Sequence, residues 1–133
     1  VNFFAQQRNA TFEFKTKTSN VGNLIGLKHG GRTVVSWSLN PQKIINSEEH
    51  NSAPLLERLT AAKRCVKAGY RVGFHFDPMI NYPGWDGDYK KVVEEIFRHV
   101  PAASVAWISL GALRFPNHMR AIAQKRFPDT KIF

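Results

Sequence analysis

Cysteine is almost missing: Cys65 is the only one among 133 residues. One thiol makes neither an internal disulfide nor an iron–sulfur cluster, and a free thiol fits a reducing, cytoplasmic setting. Lying in a helical stretch beside an apolar stripe, Cys65 reads as a core residue. Long hydrophobic runs are also lacking. None approaches the roughly 20 residues that cross a bilayer, and the first residues show no basic, apolar and small-residue succession of a signal peptide, so membrane insertion is excluded. Acidic residues are scarce: Asp and Glu number 10 against 19 Lys and Arg, a formal net charge of +9. That excess favours an acidic partner such as nucleic acid. The basic residues run from Arg8 to Lys131 without a block of like charge, so a binding patch has to be assembled by the fold.

What is present is a chain that is 43% apolar, enough for one compact domain with its own core. Thr11 to Lys17 alternates at period two and predicts a strand; Ser19 or Asn20 caps a short helix to about Lys28, ended by Gly30 and Gly31. Thr33 to Leu39 is a second strand. Pro41 opens a polar loop leading to Ser52 as the N-cap of a helix with Pro54 in its first turn, Leu55, Leu59, Ala62 and Val66 on its apolar stripe and Gly69 just past its end. Tyr70 to Phe76 is a third strand, and Asp86 to Val100 a helix with Val92, Val93, Ile96, Phe97 and Val100 inward. Ser104 to Ser109 is a fourth strand. A last helix follows Pro116 with Met119, Ile122, Ala123 and Phe127 inward, and Thr130 to Phe133 begins a fifth strand. Strands alternating with helices make parallel βαβ units, either half of a β/α barrel or a small open sheet. Val1 at the start and a strand beginning at the end favour a piece of something longer.

Strands of a parallel sheet are ordinarily apolar on both faces. Here Phe12 and Phe14 oppose Glu13, Lys15 and Lys17, while Val35, Trp37 and Leu39 oppose Ser36, Ser38 and Asn40. Val72, Phe74 and Phe76 oppose Arg71, Gly73, His75 and Asp77; Ala106, Ile108 and Leu110 oppose Val105, Trp107 and Ser109. One face of every strand is therefore expected under helices, and the other grows polar toward the C-terminal strand ends, where βα folds carry their sites. Ser38 and Asn40 share one face at a strand tip and suit a ribose or an amino-acid carboxylate. His75 and Asp77, two apart on a strand, read either as a metal or acid–base pair or as a structural hydrogen bond. Tyr82 and Trp85 lie in a turn-rich loop on the same rim, either stacking on a base or tucked into the loop.

Phe14-Lys-Thr-Lys-Thr18, Ser36-Trp-Ser-Leu-Asn-Pro41, Glu57-Arg-Leu-Thr-Ala-Ala62, Ala68-Gly-Tyr-Arg-Val-Gly-Phe74 and Ile108-Ser-Leu-Gly-Ala-Leu-Arg-Phe115 stand in the order and spacing of one family. Together they resemble the spore photoproduct lyases of the radical S-adenosylmethionine (SAM) proteins. The resemblance implies an α/β fold of parallel βα repeats forming part of a partial β/α barrel of radical SAM type, with residues 1–133 as the C-terminal portion of that barrel domain. It implies SAM and a [4Fe–4S] cluster as cofactors, DNA as partner and an electron donor. The implied reaction is reductive cleavage of SAM to a 5′-deoxyadenosyl radical, which abstracts hydrogen from a thymine-dimer photoproduct so that the dimer reverts to two thymines. The C-x-x-x-C-x-x-C cluster ligands and the family's hydrogen-donor cysteine are absent from this sequence, so the cluster belongs to a segment outside it.

Carried over by position, Lys17 resembles the family's strand-end lysine near SAM, and Ser38 and Asn40 resemble the residues that hold SAM's polar groups. His75, Asp77, Tyr82, Trp85 and Arg114 are left as substrate-side candidates. Asp77 stands where the family resemblance calls for a small neutral residue, which leaves room for a radical SAM enzyme with another substrate. Two readings of other classes compete: a nucleic-acid-binding α/β module without catalysis, and a hydrolase using His75 and Asp77 around a metal. One consequence of the single cysteine is directly measurable. Anaerobic reconstitution of the 133-residue chain with iron and sulfide should leave it without a brown cluster and without 5′-deoxyadenosine release; about four irons per chain would refute this.

Overall fold

A computed structural model describes residues 1–133. Four strands, β1 (Phe12–Thr16), β2 (Thr33–Ser38), β3 (Arg71–Met79) and β4 (Val105–Ala112), form one sheet in the order β1-β2-β3-β4. All three pairings are parallel, with Phe14 beside Val35, Val35 beside Val72 and Phe74 beside Ile108. The helices are α1 (Asn2–Ala5), α2 (Gln42–Glu48), α3 (Leu55–Lys67), α4 (Trp85–His99) and α5 (Asn117–Arg126). The α/β class with parallel βα repeats is thus as the sequence indicates. No helix is long and apolar enough to cross a membrane.

The core lies between the sheet and helices α3 and α4. Val35, Trp37, Val72, Phe74 and Phe76 on one sheet face are at most 1% exposed, and Leu59, Ala62, Cys65 and Ile96 close over them. Cys65 is the core residue its place foretold, and burial pushes its thiol up to about 11. Gly69 takes the left-handed conformation that ends α3, at φ +89°.

Several expectations change. The helix expected to reach Lys28 shrinks to a 3-10 turn at Gly22–Leu24, because Gly22 and Gly26, the latter at φ +88°, weaken a helical run. The polar loop after Pro41 holds α2, a seven-residue helix whose only buried residues, Ile44 and Ile45, are too few to show a period. Ser52 is not the N-cap of α3: Pro54 occupies that position, and the Ser52 hydroxyl donates to the Glu49 carbonyl. On α4, Val93 and Phe97 are 37% and 47% exposed rather than inward. Helix α5 forms, but Met119, Ile122 and Phe127 are exposed and residues 130–133 form no strand. A βα helix packs over the groove between its strand and the next, and the sheet ends at β4. For the same reason Ile108 and Leu110 stay open on the helix side of β4, so the covered face is complete only on β2 and β3.

Leu59 is fully buried at the centre of the core. Leu59→Ala should destabilise the chain by about 2–5 kcal/mol, read from the denaturant midpoint.

Candidate functional site

On the uncovered sheet face, the strands place one polar cluster. Glu13 Oε1 on β1 accepts from Ser36 Oγ on β2 at 2.7 Å, from His75 Nε2 on β3 at 2.6 Å and from Trp107 Nε1 on β4 at 3.2 Å. A carboxylate only accepts, so Nε2 carries the hydrogen; His75 Nδ1 meets Ser109 Oγ at 2.6 Å. Burial works to raise the Glu13 pKa, but the hydrogen bonds from Ser36, His75 and Trp107 hold it below the usual glutamate value. The indole reaches across the sheet because position 73 is glycine: a Cβ there would sit 2.9 Å from Trp107 Nε1 and 3.2 Å from Ser36 Cβ.

This arrangement corrects the pairing of His75 with Asp77. Neighbouring strands lie about 4.8 Å apart while residues two apart on one strand are separated by about 7 Å, so the imidazole bonds across the sheet instead. No group of three His, Cys, Asp or Glu side chains in the chain is placed to hold a metal ion. Asp77 is exposed beside Gly111, where any Cβ would collide with its carboxylate.

A second network ties the C-terminal strand ends together. Glu49, in the link between α2 and α3, accepts from Lys17 Nζ at 3.1 Å and Asn40 Nδ2 at 2.8 Å through Oε1, and from an Arg58 nitrogen at 2.7 Å through Oε2. Arg58, fully buried on α3, also donates to the Ala53 carbonyl, the Ser38 carbonyl and Ser52 Oγ. The Asn40 oxygen accepts from the Tyr89 hydroxyl of α4 at 2.6 Å, and that hydroxyl accepts from the Ile80 amide just past β3. Asn40 therefore does not stand free at the strand tip as the alternation suggested; its amide is engaged at both ends. Lys17 remains 46% exposed, and Ser38 is buried and joins the network through its backbone carbonyl.

Sequence reasoning missed Glu49, Arg58 and Tyr89. The signal for Arg58 was readable: three residues after Leu55 and four before Ala62, it falls on the buried stripe of α3, where a cation needs internal partners. Glu49 and Tyr89 carried no local signal. On the loop, the Tyr82 hydroxyl donates to Asp88, burial and that bond push it up to about 12, and Lys43 Nζ sits 4.7 Å over its ring. Trp85, 36% exposed, borders a hollow of about 340 Å³ shared with Met79, Leu110 and Gly111 at the C-terminal ends of β3 and β4. Arg114 is exposed just past β4 and belongs to neither network.

A family model described as spore photoproduct lyase matches residues 1–133. Spore photoproduct lyases from Bacillus subtilis and a Geobacillus strain are 29% and 27% identical over 134 residues, covering 99% of this chain. The chain spans 39% of the length of each of these relatives. A solved spore photoproduct lyase variant with bound AdoMet and dinucleoside spore photoproduct matches with a TM-score of 0.88 at 26% identity, over 99% of this chain and 39% of that one. Another variant, with dinucleoside spore photoproduct, matches at 0.90 and 26%, over 99% and 40%.

Glu49 gives the strand-end network a pH signature. Burial works to raise its pKa, but the hydrogen bonds from Asn40 and Arg58 and the Arg58 charge hold it below 4.5. A depressed carboxylate contributes stability above its unfolded pKa and loses it as pH falls through the folded value. Glu49→Gln should therefore lower stability at neutral pH and flatten the acid limb below pH 4.5, measured by denaturant titration at several pH values.

Proposed function

The chain belongs to the spore photoproduct lyase family, and we propose that it supplies part of a partial radical SAM barrel whose complete protein reverses a thymine-dimer photoproduct in DNA. Residues 1–133 are then one portion of the barrel domain, contributing four strands of its wall. The observation that carries this reading is the polar rim at the C-terminal strand ends, where Lys17 and Ser38 stand at the positions that resemble the family's SAM contacts.

The two cofactors fit this chain differently. Its one thiol is buried in the core and pushed up to about 11, so no residue here suits an iron–sulfur cluster, and the ligands have to come from elsewhere in the protein. The rim donors do suit SAM, which supplies radical chemistry once it is bound and reduced by an electron donor. The Lys17 ammonium is matched to its carboxylate and the Ser38 hydroxyl to a polar group such as a ribose oxygen. Asn40 braces both from behind through Glu49.

On the substrate side, Trp85 offers an exposed aromatic face beside the hollow, and Arg114 an exposed guanidinium for a phosphate. Tyr82, with its ring under Lys43, shapes the loop. Asp77 adds a free carboxylate near the hollow, where it can select among substrates, and His75 with Ser109 keeps a proton-bearing pair on the sheet face. The net charge of +9 favours DNA through counterion release.

SAM binding by the anaerobically reconstituted complete protein tests the reading. A hydrogen bond to a charged group contributes about 1.5–3 kcal/mol and one between neutral groups about 0.5–1.5, so Lys17→Met should raise the SAM Kd about tenfold or more and Ser38→Ala a few-fold. Unchanged SAM affinity with collapsed DNA affinity would assign the rim to the substrate instead.

A further inference from the structure

We propose that Glu49 is a positioning residue for the rim, fixing the Lys17 ammonium from behind and acting on SAM only through it; this rests on the reading of Lys17 as a SAM contact. Lys17 follows the last residue of β1, and its flexible stem leaves the ammonium many places to go. The structure gives it one partner, Glu49 Oε1 at 3.1 Å. Glu49 is itself held: its side chain is 5% exposed, Asn40 shares the same oxygen at 2.8 Å, and Arg58 takes the other at 2.7 Å.

Arg58 is in turn locked by the carbonyls of Ser38 and Ala53, so the position of the ammonium is referred to the backbone of β2. The chain of contacts thus links the two rim groups, Lys17 and Ser38, through rigid intermediates. Its charge also matters. Two cations share one carboxylate, so the cluster keeps a single positive charge with only Lys17 open to solvent, which complements a ligand carboxylate.

Double-mutant analysis on the complete, cluster-loaded protein tests the proposal. SAM Kd is measured for the parent, Lys17→Met, Glu49→Gln and the double variant. Positioning through Lys17 predicts about a tenfold rise for each single variant and no further rise in the double. Additive losses, about a hundredfold in the double, overturn it, as does a Glu49→Gln Kd that is unchanged or lower. A Lys17→Met protein with unchanged SAM affinity overturns the underlying SAM assignment instead, so the two failures are distinguishable.

If Glu49→Gln does not fold, Glu49→Asp runs through the same cycle with the same outcomes. It keeps the charge opposite Arg58 and withdraws the oxygen from Lys17 by one methylene. Nitrogen-15 spectra of the Lys17 ammonium without SAM supply an independent readout. The signal should be resolved in the parent and lost in the Glu49 variant, and an unaltered signal there overturns the proposal.

Discussion

A guanidinium without water must find its partners inside the protein, and Arg58 finds four: two carbonyls, a hydroxyl and a carboxylate. Breaking a buried pair of this kind typically costs about 3–5 kcal/mol, because the remaining charge is left uncompensated. This one requirement decides the course of the chain between residues 38 and 58. The Ser38 carbonyl has to face α3, Ser52 has to turn back, and Glu49 has to come inward from the end of α2. Once Glu49 is in place, Lys17, Asn40 and through it Tyr89 and Ile80 follow, so the ends of three strands are braced by a single buried cation.

The uncovered sheet face solves a related problem by other means. It carries no buried lysine or arginine; instead β2, β3 and β4 contribute a hydroxyl, an imidazole and an indole, and Glu13 of β1 gathers them. Glycine at 73 is what lets a side chain as large as Trp107 lie flat enough to take part. The two networks divide the molecule: one ties the strands together on the open face, and the other braces their C-terminal ends.

The strand and major helix positions were legible because period-two alternation and the stripes of α3 and α4 are local signals, and the polar character of one sheet face followed from the same alternation. Partner choice on that face was not. The sequence puts His75 two residues from Asp77, whereas its real partners, Glu13 and Ser109, are 62 and 34 positions away and become neighbours only through strand order. The partners of Asn40 were hidden for a similar reason: alternation assigns a side chain to a face only while the strand lasts, and β2 ends at Ser38. The inward residues of α5 failed because amphipathicity reports what a helix can bury, not whether a partner is present.

The sheet's last strand has a material consequence for handling the chain in solution. β4 presents its outer row of amide and carbonyl groups unpaired, flanked by Leu110 at 71% exposure and the apolar residues of α5, with no cationic or proline residue within its eight positions to blunt it. The +9 charge on each copy opposes edge-to-edge joining of two molecules. That repulsion is screened within about 8 Å at physiological ionic strength, so the barrier to pairing along this edge falls as salt is added.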